Sequence, residues 1–161
     1  MNTARKVVRK IIYSDDYNPI REYWEAIKYK PLFAEIEKIE DEIAEAERKE
    51  NVSSAFLVRR KEELEEKIKI RQGLEVNGAV NSSWKVYRMY REIIRFLDDP
   101  QSEWEYCPAR ANHAIEFVEN YCKHSKGKLG GKPFILELWQ KALVAATFGI
   151  IHKISRLRKY R

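Results

Sequence analysis

The residues best suited to chemistry lie between Cys107 and Gln140, and the most suggestive of them form the loop Gly127-Lys-Leu-Gly-Gly-Lys132. Successive backbone N–H groups beside a lysine can cradle a phosphate. A nucleotide-binding loop, however, needs glycine, four residues, then Gly-Lys-Ser/Thr. Here Lys126 stands where the first glycine belongs, and Pro133 replaces the hydroxyl residue that would hold a metal. The spacing therefore predicts a flexible turn. Cys107, His113, Cys122 and His124 could be imagined around zinc, yet they lack the paired-cysteine and paired-histidine spacings of such sites. Both cysteines read as free thiols acting as small apolar fillers. No elbow or triad-like order marks a nucleophile, and the carboxylates gather on solvated helix faces. The residues by themselves compose no complete active site.

Two helices must carry this region. The first, over 112–123, places Ala111, Ile115, Val118 and Cys122 on one stripe with Ala114, Phe117 and Tyr121 beside it, which is the pattern of a core helix. The second opens with Glu137-Leu-Trp-Gln140 and carries no charge from Ala142 to Ile151. A helix apolar all round must be covered on several sides, and this one is too short to span a bilayer. Pro108 suits the first helical position, and 101–107 reads as a loop.

Upstream, Asn18-Pro19 predicts a helix start, with periodicity through Tyr23, Trp24 and Ile27 until Pro31. Leu32, Ile36, Ile39, Ile43 and Ala46 then follow a heptad-like spacing among Glu and Lys. After a break near 51–54, where Ser53 or Ser54 is a good N-cap, Leu57, Leu64 and Ile68 offer a weaker partner seam. The economical structure is an antiparallel hairpin protruding as a thin arm. Ser82 or Ser83 caps a further helix, with Val86, Tyr90, Ile93 and Leu97 in one row, that stops at Asp98-Asp99-Pro100. With no convincing strand, the expected class is all-α: a small helical domain (17–31 and 80–152), a coiled-coil hairpin insertion (32–79), a basic N-terminal arm (1–16) and a basic C-terminal lead-in (153–161).

The formal net charge of +6 is uneven, because 34–71 holds twelve acidic and nine basic residues. The surplus of positive charge therefore lies outside the hairpin. At the N-terminus Arg5, Lys6, Arg9 and Lys10 alternate with Val7, Val8, Ile11 and Ile12, which predicts a frayed or loosely docked terminus or, failing that, an arm contacting nucleic acid. The lack of a signal peptide, a long apolar segment or a disulfide framework points to an intracellular compartment.

Residues 17–30 and 80–161 resemble the N-terminal segment of the large terminase subunit of tailed bacteriophages and prophages. The specific piece is Ala114-Ile-Glu-Phe-Val-Glu-Asn-Tyr-Cys-Lys-His-Ser-Lys-Gly127, followed after two residues by Gly130-Gly-Lys-Pro-Phe-Ile-Leu-Glu-Leu-Trp-Gln140. Val80-Asn-Ser-Ser-Trp-Lys-Val-Tyr87 is similar to the family's preceding helix. The resemblance implies part of a DNA-packaging motor with an ATPase domain and a metal-dependent nuclease domain, partnered by a small terminase subunit and a portal in the cytoplasm of a bacterial host. It implies that Gln140, flanked by Leu138 and Trp139, contacts the adenine of ATP, whose Mg2+ the missing ATPase domain would hold. It also implies that this piece, without Walker motifs or nuclease carboxylates, is inactive alone and meets DNA only indirectly. The rival expectations are a stand-alone basic helical module that binds nucleic acid through its termini, and a coiled-coil interaction protein.

Overall fold

Prolines set where the helices begin. α1 (Pro19–Ile27) and α5 (Pro108–Tyr121) open on one, and α2 (Lys30–Glu47) carries Pro31 in its first turn, positions where a missing N–H leaves no helical bond unmade. The computed structural model describes residues 10–49 and 52–160. Within them the chain is mostly helical, adding α3 (Ser54–Val76), α4 (Trp84–Asp98) and α6 (Leu138–Gly149). No helix among the described residues is long and apolar enough to cross a membrane. The chain divides into two compact units, Trp24–Glu92 and the flanking Met1–Tyr23 with Ile93–Arg161.

In the unit Trp24–Glu92, α2 buries Phe33, Ile36, Ile39, Ile43 and Ala46, the predicted stripe with Phe33 in place of half-buried Leu32. α3 runs antiparallel to it, since Glu35 pairs with Lys67, Glu42 with Arg60 and Glu47 with Lys61. Ser53 occupies the N-cap position of α3 as expected, although its hydroxyl makes no capping bond. α3 contributes no buried residue, and Leu57, Leu64 and Ile68 stay half-exposed. The burial in this hairpin is therefore one-sided. Lys30 is buried at the base of α2, where its ammonium donates to Asn81 Oδ1 at 3.0 Å and lies 5.8 Å from the centre of the Trp84 ring. Trp24 and Trp84 both pack on Tyr87.

The other unit is built on α5 and α6, which run antiparallel. It also contains what periodicity missed, a two-stranded antiparallel sheet of β1 (Trp104–Tyr106) and β2 (Ile150–His152), with Glu105 opposite Ile151. The expected loop 101–107 thus contains a strand, and the expected helix through Ile151 ends two residues early. Ile150 and Ile151 are fully buried in the strand, and a short β-branched apolar run satisfies a buried strand as well as a helix. Gly149 makes the junction possible: a Cβ there would lie 2.8 Å from Tyr106 Cε2 and 2.9 Å from the Ala111 Cβ. The basic run expected as a lead-in folds back on β2. The Lys159 N–H donates to the Ile150 carbonyl and the His152 N–H to the Leu157 carbonyl, through a turn in which Arg156 has φ of 58°.

Candidate functional site

The inward face of α5 carries a carboxylate that the apolar pattern hides. Glu119 follows Ile115 by one helical turn and so points the same way; its side chain is 0% exposed. Three donors converge on it. The Tyr13 hydroxyl donates to Oε2 at 2.5 Å, the Leu136 N–H donates to Oε1 at 2.9 Å, and the Lys141 ammonium lies 3.3 Å from Oε1. A buried charge is tolerable only when paired and hydrogen-bonded in this way. The carboxylate thereby ties together the N-terminal segment, the approach to α6 and α6 itself.

Residues 11–14 lie extended along the same helix. Asn120 brackets Ile11, accepting its N–H at 2.8 Å and donating to its carbonyl at 2.9 Å. Glu116 accepts the Tyr13 N–H at 2.8 Å, and Asn112 donates to the Ser14 carbonyl at 2.8 Å. The match is metric: four helical residues advance about 6 Å and two extended residues about 6.6 Å. The described part of the terminus is therefore fastened through its backbone, which corrects the expectation of a frayed or loosely docked segment there. Tyr13 stacks on Tyr17 at 4.5 Å. Burial, and then the bond to Glu119, pushes the Tyr13 hydroxyl well above the ordinary tyrosine range. Burial likewise pushes Tyr17 up to about 12.

The start of α6 holds Leu138, Trp139 and Gln140. Glu137 and Gln140 form a reciprocal capping box, in which the Glu137 N–H donates to Gln140 Oε1 at 2.9 Å and the Glu137 side chain caps the Gln140 backbone. Such a box satisfies two otherwise orphaned helix donors and fixes the amide in place. Trp139 is 52% exposed, and Leu138 is half-buried.

The glycine loop closes on itself. The N–H groups of His124, Gly130, Gly131 and Lys132 donate to carbonyls within the loop, and Gly127 and Gly131 take the left-handed φ values of 76° and 77°. Those donors do not face an anion, which agrees with a plain turn. Cys107 and Cys122 are free thiols, and no group of three metal-ligating side chains occurs among the described residues. Of the four N-terminal cations, Arg5, Lys6 and Arg9 lie outside the described residues, while Lys10 is exposed beside Glu116 and Tyr121. Two of the C-terminal cations have internal partners: Arg156 pairs with Glu105, and Lys159 sits 4.1 Å from the centre of the Trp104 ring.

No family model, curated protein or solved structure matches this chain. The geometry therefore stands without a relative to explain it. Glu119 and its partners are what the sequence reading missed. The available signal was one acidic residue in register with Ile115 on an otherwise apolar stripe.

Proposed function

We propose that this chain is the N-terminal region of a terminase large subunit, a non-catalytic part of a DNA-packaging motor that helps recognise adenine and offers docking surface to other motor parts. It would work in the cytoplasm of a bacterial host, with a small terminase subunit, a portal and further domains of a longer protein as partners. ATP and Mg2+ held by those domains would supply the phosphoryl chemistry.

The observation that carries this reading is the fastened amide at the start of α6. Gln140 Oε1 accepts the Glu137 N–H, but a carbonyl oxygen has a second lone pair and the amide NH2 two donors. An amide held in one orientation can accept from adenine N6 while donating to N7. The exposed Trp139 indole offers a face beside it. The order of motifs from Ala114 to Gln140 supports the same reading, as does the exposed Leu143 on α6. The partnered state of Arg156 and Lys159 does not favour the stand-alone nucleic-acid module.

Titration of the chain with adenosine, monitored by the Gln140 side-chain amide resonances and Trp139 fluorescence, tests the proposal. Expected is weak saturable binding, on the order of millimolar, lost in Gln140→Ala and absent with guanosine. Equal response to both nucleosides, or ATP turnover by the chain that disappears in Gln140→Ala, would overturn it.

A further inference from the structure

Between α5 and α6, at the end away from Gln140, runs an open groove of about 790 Å³. Its floor and walls are apolar, with Ala114 and Phe117 from α5 and Val144 and Phe148 from α6. Phe117 is 57% and Phe148 40% exposed. Its polar rim carries the guanidiniums of Arg110 and Arg158 and the His113 imidazole, and no carboxylate lines it among the described residues. Both guanidiniums are fixed in place. Arg110 donates to the Arg156 carbonyl at 2.8 Å, and the Arg158 guanidinium lies 5.0 Å from the centre of the Phe148 ring.

We infer that this groove docks an amphipathic helix of a partner protein, one that presents an apolar stripe to Phe117 and Phe148 and carboxylates to Arg110 and Arg158. Charge complementarity selects the occupant, since a rim with cations and no anion attracts acidic flanks and repels basic ones. Shape selects a helix. A groove open along one side would leave half of an acyl chain in water, whereas a helix needs to bury only one stripe and exposes a polar face of its own. The two guanidiniums are already oriented, so little side-chain freedom is lost on binding. The inference stands apart from the adenine reading, because it uses none of Leu138, Trp139 or Gln140.

The test uses two synthetic helical peptides about fourteen residues long, with the same leucine stripe and either glutamate or lysine flanks. Backbone resonance shifts of the full chain are followed on addition of each. Expected is saturable binding of the glutamate peptide with shifts centred on Ala114, Phe117, Val144 and Phe148, and affinity at least about ten-fold weaker for the lysine peptide. The double variant Arg110→Glu/Arg158→Glu should reverse that order. Both side chains are exposed, so the variant's amide spectrum checks that the fold persists; Arg110→Gln/Arg158→Gln, which should abolish the preference, serves if the double reversal unfolds. Equal affinity for both peptides, shifts elsewhere, displacement of the glutamate peptide by laurate at equal concentration, or self-association that occupies the groove in place of the peptide would each overturn the inference. Loss of adenosine binding in Gln140→Ala leaves these outcomes unchanged, so the two readings fail separately.

Discussion

Two antiparallel helix pairs in this chain are held by opposite means. Between α2 and α3 one helix buries a narrow apolar stripe and the other none, and across the seam lie ion pairs open to solvent on one side or both, such as Lys67–Glu35 at 3.1 Å and Lys61–Glu47 at 2.6 Å. Between α5 and α6 the contact is close enough to require Gly149, and its charged group, Glu119, is out of water. Ion pairs left in solvent are weak, because water screens them and two long side chains must be ordered. A buried carboxylate is different: its value lies in the partners it binds, and removing any of them leaves a desolvated group unsatisfied. One pair can tolerate changes along its length, whereas the other is committed to a few positions.

The sharpest way to break this contrast is at Glu119. Truncation by Glu119→Ala strands the Tyr13 hydroxyl, the Leu136 N–H and the Lys141 ammonium, and should cost about 3–5 kcal/mol in denaturant unfolding. Glu119→Gln keeps acceptor capacity and the shape, so it should recover part of that loss. A cost below about 1 kcal/mol for Glu119→Ala would place this carboxylate with the solvent-exposed pairs of the hairpin and dissolve the distinction.

Next in size comes Gly149→Ala. The added methyl would meet a ring carbon of Tyr106 and the methyl of Ala111, both at under 3 Å. Overpacking of this kind costs about 1–3 kcal/mol, so the unfolding midpoint should fall while the fold persists. The same substitution at Gly73 of α3, where a Cβ meets nothing within 4 Å, should stabilise by about 0.5–1 kcal/mol. Opposite signs at two glycines, read by thermal unfolding, would confirm that packing tightness separates the pairs.

What was legible in the sequence followed the same divide. The hairpin was readable from residues 32–71 because Ile36, Ile39, Ile43 and Ala46 obey one local period among neighbours that are mostly Glu, Lys and Arg. Pro19 and Pro108 announced helix starts, and Pro31 the break between α1 and α2, for an equally local reason. The sheet was not legible, because β1 and β2 are three residues each and stand 46 residues apart, so that only tertiary pairing creates them. Nor was Gln140's role as a cap partner anticipated, although Glu137 three residues earlier is the spacing of a capping box. The fastening of residues 11–14 could not be foreseen either, because Asn112, Glu116 and Asn120 read that segment through its backbone, which leaves no mark on its side chains.

Alkaline pH offers a gentler probe. Tyr13 and Tyr17 both have hydroxyls raised above their ordinary value of 10.0. A group with a raised folded pKa contributes stability that is complete below the unfolded pKa and is lost as pH climbs through the folded one. Stability should therefore hold to about pH 10 and decline above it, as Tyr17 passes about 12. Tyr17→Phe should flatten that decline in denaturant midpoints measured on either side of pH 10. An unchanged slope would show that the terminus is released before its tyrosines ionise.

The smallest effect belongs to the hairpin's ion pairs, and its smallness is what the comparison requires. Lys67→Met keeps the aliphatic stem against α2 while removing the charge opposite Glu35, whose side chain is 51% exposed. The expected cost is about 0–1 kcal/mol. Raising salt until the screening length is about 3 Å screens every exposed pair at once, so the cost of Lys67→Met should shrink toward zero there. Were Lys67→Met to destabilise the chain as strongly as Glu119→Ala, the hairpin's charges would have to form a cooperative network, and its one-sided apolar stripe could no longer be taken as the force that closes α2 on α3.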